Sequence, residues 1–99
     1  MTDKLVNVAV QVLPTCEGKN TYDIVDEAIA VIAESGLPYR VCPFETVVEG
    51  TYGQVMDVVQ RVQEACYQAG AEKIMCYVKI QSSAREDVRI ADKIEERGY

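Results

Sequence analysis

The chain has no histidine and no tryptophan, and only one phenylalanine, three prolines and six glycines in 99 residues. Without histidine, Ser–His and Cys–His nucleophile pairs are excluded outright. Four cysteines remain, Cys16, Cys42, Cys66 and Cys76, and no C-x-x-C spacing joins any of them. Nothing in that pattern gathers thiols around zinc, so no metal and no cofactor is expected. Cys42, Cys66 and Cys76 lie in apolar patterns and read as small buried hydrophobes, whereas Cys16 lies in a loop with no base beside it. Basic residues are scarce as well: ten Lys and Arg stand against sixteen Asp and Glu, a formal charge of −6. With no basic cluster and no glycine-rich phosphate cradle, nucleic-acid binding has no support. A neutral or cationic small ligand suits this balance better.

Long apolar runs are missing too, which excludes a transmembrane helix. The stretch from Met1 to Pro14 holds Asn7 and Gln11 within its apolar run and no small-residue cleavage site. It reads as a strand and not as a signal peptide. At 48% hydrophobic and 26% charged residues, the composition is that of a soluble globular chain. One domain spanning residues 1–99, cytoplasmic and with reduced thiols, is expected.

What is present is a clear alternation of periods. In Leu5 to Leu13, Val6, Val8, Val10 and Val12 share one face and Asn7, Ala9 and Gln11 the other, as in a half-buried strand. From Thr21, a plausible N-cap, the period becomes helical: Ile24, Val25, Ala28, Ile29 and Ile32 form a stripe, with Asp26 and Glu27 away from it. Gly36 and Pro38 stop that helix. Tyr39 to Phe44 and Glu45 to Glu49 read as short strands with Pro43 at an edge or bend. A capping box, Thr51-x-x-Gln54, opens a second helix whose stripe runs from Val55 to Ala69. Ile74 to Gln81 alternates again, and Asp87 to Arg97 fits a short helix.

The order β-α-β-β-α-β plus a terminal helix is that of an α+β, ferredoxin-like sandwich: an antiparallel four-stranded sheet with both helices on one face. The first and third strands are expected at the centre as parallel neighbours, with the loops after them side by side. The opposite sheet face, carrying Asn7, Ala9, Gln11, Met75, Tyr77 and Lys79, is expected to be free of helices. Such a face usually meets a second copy.

Two loops look like copies. Glu17-Gly18 is followed by Thr21-Tyr22 and Val25, and Glu49-Gly50 by Thr51-Tyr52 and Val55. If residues 15–18 and 46–50 meet in space, Glu17 and Glu49 form either a carboxylate pair or two helix-capping acids. Acylphosphatase chemistry on this fold wants an Arg in the first loop, and Thr15 to Asn20 offers only Lys19. Binding demands less than catalysis. Thr15, Thr46 and Glu49 supply hydroxyls and a carboxylate, and Phe44, Tyr22, Tyr52 and Met56 supply walls. The set suits a small planar heterocycle with amino groups, particularly a positively charged one.

The stretch Glu45-Thr46-Val47-Val48-Glu49-Gly50, followed by a Val-rich helix, resembles the signature of a family of small bacterial and archaeal thiamine-binding proteins. Ser35-Gly36-Leu37-Pro38-Tyr39, Val10-x-x-x-Pro14, Gln68-Ala69-Gly70-Ala71, Val78-Lys79-Ile80 and Asp92-Lys93-Ile94 fit in the same order, over nearly the whole chain. The resemblance implies a ferredoxin-like homotetramer, a dimer of sheet-packed dimers, that binds thiamine or its hydroxymethylpyrimidine part without catalysis. Thr46 and Glu49 match the signature, and Thr15 and Cys16 occupy the loop after the first strand. With Phe44 and Met56 these form the expected ligand-binding set. Many family members carry an Arg-rich, acidic loop after the last strand; here that loop is Gln81-Ser82-Ser83-Ala84 with Arg85 displaced. The alternative reading is a homo-oligomeric interaction module that works through the open sheet face and takes no small ligand.

Overall fold

The protein is described by a computed structural model covering residues 3–18, 20–94 and 97–98. Its elements follow the expected order: β1 (Leu5–Thr15), α1 (Thr21–Glu34), β2 (Tyr39–Val41), β3 (Thr46–Thr51), α2 (Tyr52–Gln68), β4 (Lys73–Gln81) and α3 (Ile90–Ile94). The sheet order is β2-β3-β1-β4, a ferredoxin-like arrangement. Val6, Val8, Val10 and Val12 all turn inward, as the period of two requires, and meet Ile24, Ala28 and Ile32 of α1. Val55, Val58, Val59, Val62 and Cys66 of α2 complete the core from the same side. Both helices therefore cover one face.

Local signals explain the helix ends. Asn20, not Thr21, caps α1: its Oδ1 accepts from the Tyr22 N–H at 2.9 Å. Gly36 follows the helix with φ +78°, a conformation in which a Cβ is strained. The capping box of α2 forms as its spacing predicts, with Thr51 N–H donating to Gln54 Oε1 at 3.0 Å and Gln54 N–H to Thr51 Oγ1 at 3.4 Å.

One expectation fails. β1 and β3 are central neighbours, but they run antiparallel, with Leu5 opposite Thr51 and Val10 opposite Thr46. The β1–α1–β2 crossover leaves β2 parallel to β1, and the tight turn that follows reverses the chain before β3. That turn is closed by Cys42 N–H donating to Glu45 O at 2.9 Å, around Pro43 and Phe44. The end of β1 therefore lies at the start of β3, and the loops after the two strands are at opposite ends of the sheet.

The uncovered face is also less bare than expected. The segment from Asp87 to Ile90 is tied to it by a row of hydrogen bonds. Leu5 N–H donates to Asp87 Oδ1 at 2.8 Å, Val88 N–H to Leu5 O at 2.9 Å, and Asn7 Nδ2 to Val88 O at 3.0 Å. Helix α3 is shorter than the sequence pattern suggests, since residues 87–89 hold this strap extended; Glu95 and Glu96 lie outside the described residues. Asn7 is left only 3% exposed.

Candidate functional site

The antiparallel register separates the residues expected to form one site. Thr46 faces Val10, five residues before Thr15, so about 17 Å of strand lies between them at roughly 3.4 Å per residue. Glu49 faces Asn7, about 27 Å of strand from Thr15. The segments 15–18 and 46–50 do not meet, and Glu17 and Glu49 form no carboxylate pair. Their shared Glu-Gly motif has two unrelated local causes. Gly18 takes a turn with φ +71°, whereas Gly50 is buried so closely that a Cβ would stand 3.2 Å from Leu37 Cδ1.

Glu49 is spoken for. It projects from the strap side of β3, and its Oε1 accepts from the Ile90 N–H at 2.7 Å. It is 8% exposed and fastens the start of α3. Cys16 and Met56 pack against the edge of the core, and Thr15 ends β1 as an exposed residue.

The other end of the sheet holds an opening. A cavity of about 330 Å³ lies where β1 and β2 end, α1 begins and the Cys42–Glu45 turn crosses over. Val10, Val12, Ile32 and Val62 form its apolar floor, Phe44, Tyr22 and Pro43 its rim, and Thr46 its buried polar group. Phe44 is 82% exposed and Tyr22 77%, so both rings stand free at the mouth. Of the expected ligand-binding set, Phe44 and Thr46 come together here, joined by Tyr22. Thr15, Cys16, Glu49 and Met56 do not line the cavity.

Thr46 is the decisive side chain. It is 6% exposed, yet among the described residues no hydrogen bond engages its hydroxyl, which opens to the cavity. The Thr46 hydroxyl keeps its access through the opening; the buried side-chain atom without a partner among the described residues is Asn7 Oδ1, on the opposite face of the sheet. The volume falls at the lower end of the range for small-molecule pockets, roughly 300–1,000 Å³. A larger groove of about 700 Å³ runs along α1 and α2, but it holds no comparable buried group, and its Asn20 is committed to capping.

Sequence reading missed Asp26, Cys42 and Glu45 on this cavity. Tyr22, Val25, Asp26 and Ile29 follow the spacing i, i+3, i+4, i+7, which is one edge of α1. That spacing was the available signal, and it points beside the buried stripe and not away from it. Among the described residues, no group of three or more His, Cys, Asp or Glu is placed to hold a metal ion, and no helix is long and apolar enough to cross a membrane. The buried Cys66 thiol is pushed above its ordinary pKa by desolvation and then by the nearby Cys76; burial raises Cys76 as well.

With this geometry in hand, comparison with known proteins gives a consistent result. The profile of the thiamine-binding protein family matches residues 8–97. The chain belongs to that family. A UPF0045 protein of Clostridium perfringens is 36% identical over 74 residues, which is 75% of this chain and 78% of the relative. Another, from Mycobacterium bovis, is 42% identical over 76 residues, covering 76% and 74%. Among solved structures, a Bacillus cereus domain of unknown function superposes with a TM-score of 0.90 at 36% identity, over 94% of this chain and 89% of the other. A Thermotoga maritima protein provisionally assigned to thiamine biosynthesis or salvage gives 0.84 at 28% identity, over 94% and 98%. Both share the sheet-and-helix arrangement that shapes the family's fold.

Proposed function

We propose that this member of the thiamine-binding family is a non-enzymatic, cytoplasmic binder of thiamine or its hydroxymethylpyrimidine part, and that the Thr46 cavity is its site. The observation that supports this is the Thr46 hydroxyl, on a residue only 6% exposed, which no described residue engages and which borders a cavity of heterocycle size. An aminopyrimidine supplies both a donor and ring-nitrogen acceptors, either of which satisfies Thr46. The apolar floor takes the flat ring, and Tyr22 and Phe44 close over what protrudes. The doubled Glu-Gly loops carry no part of this reading, because they lie at opposite ends of the molecule.

Titration calorimetry with thiamine and with hydroxymethylpyrimidine tests it. Binding of either, weakened in Phe44→Ala and, by roughly fivefold, in Thr46→Val, supports the site. Absence of heat and of any thermal shift at millimolar ligand would rule the function out. At 100 times Kd, a bound ligand stabilises the fold by about 2.7 kcal/mol, a shift that melting curves resolve.

Assembly belongs to the same reading. Leu13, Met75 and Tyr77 on the uncovered sheet face are 46%, 57% and 52% exposed, a surface that favours a homo-oligomer, in the family's manner a dimer of dimers. Tyr77→Asp then yields monomers in sedimentation. If the protein binds no small molecule while this face still assembles, the interaction-module reading replaces the first.

A further inference from the structure

We infer that the Thr46 cavity takes its ligand as an unphosphorylated cation, and that Asp26 is the residue that sets this preference. The inference rests on the thiamine reading and narrows it to a charge class. The charged side chains around the cavity are Asp26 and Glu45; among the described residues no Lys or Arg lines it. Their charges are not equivalent. Glu45 Oε1 stands 3.1 Å from Lys79 Nζ, so its charge is largely answered within the chain. Asp26 has no ion-pair partner among the described residues. It lies four residues after Tyr22, one helical turn along the same edge of α1, so its carboxylate and the exposed Tyr22 ring flank one mouth.

A cation at that mouth has a carboxylate and two exposed aromatic rings beside it, and both kinds of group attract positive charge. A phosphoryl group at the same place meets the reverse. Phosphate recognition needs guanidinium or ammonium groups, or free N–H groups at a helix start. The start of α1 does not offer them freely: Tyr22 N–H is held by Asn20 Oδ1 at 2.9 Å, Asp23 N–H by Asn20 O at 3.1 Å, and Asp23 adds negative charge to the first turn. Thiamine fits this mouth, with its neutral aminopyrimidine inside and its thiazolium cation at the rim. Its phosphate esters place an anion where, among the described residues, no lining side chain supplies a counter-charge.

The test compares three probes by calorimetry at low salt and neutral pH: thiamine, thiamine monophosphate and hydroxymethylpyrimidine, against the wild-type chain and Asp26→Asn. Asp26 is exposed, so the substitution leaves the fold intact, which circular dichroism checks. The expected result is thiamine binding about threefold or more tighter than its monophosphate, with the gap closing as salt is added. Asp26→Asn weakens thiamine about threefold, narrows the gap to the monophosphate and leaves hydroxymethylpyrimidine unchanged. Monophosphate binding equal to or tighter than thiamine overturns the inference while leaving the site in place. An equal loss for thiamine and hydroxymethylpyrimidine in Asp26→Asn also overturns it, because the residue then shapes the pocket and does not read charge. If neither thiamine nor hydroxymethylpyrimidine binds the wild-type chain, the underlying function falls and the inference with it.

Discussion

Thr46 and Glu49 lie three residues apart on β3 and are almost equally buried, at 6% and 8% exposed, yet the chain treats them in opposite ways. An odd spacing puts them on opposite faces of the sheet. On one face Glu49 is tied to Ile90 at 2.7 Å, beside a strap that also engages Leu5 and Asn7. On the other, the Thr46 hydroxyl faces a cavity with no partner from the described residues. A buried polar group satisfied within the chain contributes to stability. A hydroxyl that no described residue engages, beside an opening, is free to bond a ligand, and that is the role proposed for Thr46. On the proposed reading, the two faces of β3 thus divide between holding the fold and holding a molecule.

The sharpest way to break this contrast is to remove Glu49. Glu49→Ala strips a charged acceptor from the Ile90 N–H, and the expected loss is about 1.5–3 kcal/mol of stability in urea denaturation. Thiamine affinity is expected to stay the same wherever the variant remains folded. Glu49→Gln, which still offers an acceptor oxygen, recovers part of the loss. A Glu49→Ala protein of wild-type stability and impaired binding would reverse the assignment of the two faces.

Thr46→Val is the complementary experiment, and its effect is smaller. Valine keeps the branched shape and removes only a hydroxyl that no described residue engages. Stability is expected to change by less than about 0.5 kcal/mol, or to rise slightly. Ligand affinity is expected to fall by about 1 kcal/mol, roughly fivefold. If denaturation shows a large loss of stability instead, the hydroxyl has a structural partner and the contrast with Glu49 disappears.

Much of this arrangement is legible in the chain. The alternation of Val6, Val8, Val10 and Val12, the capping box at Thr51 and the stop at Gly36 are local patterns with local causes, and each is found where it was expected. The relation of the two central strands is also encoded, but in the connections: a crossover preserves direction, and the Cys42–Glu45 turn reverses it. Taking the repeated Glu-Gly as evidence of adjacency overlooks that reversal, which alone moves Glu17 to the far end from Glu49. The hydrogen bonds of Leu5, Asn7 and Glu49 to residues 87–90 join positions more than forty apart in sequence. No periodicity reports such a contact. Thr46, a hydroxyl within the signature stretch, and Phe44, an expected aromatic wall, do line one cavity. Asp26 was harder, since a charge beside an apolar stripe looks like ordinary solvated surface until the turn of β2 into β3 is laid over it.

The smallest effect concerns the pocket end alone. Cys76 pairs with Val12, which lines the cavity, and Cys66 lies in the core at 0% exposure. Burial first, and for Cys66 the neighbouring Cys76 next, raise both thiols above their ordinary value of 9.0. The unfolded chain therefore gives up these protons at lower pH than the folded one. Stability from this source is complete below pH 9.0 and declines above it, until the folded thiols ionise too. The slope is at most about 1.4 kcal/mol per pH unit for each thiol. The informative quantity is the difference between the wild-type chain and Cys66→Ala, measured by urea denaturation from neutral pH to pH about 10.5. The variant starts less stable because a buried sulfur is gone, but its curve should fall less steeply with pH. Parallel curves would mean that the Cys66 thiol ionises alike in both states, and that the core beneath the cavity is wetter than its burial implies.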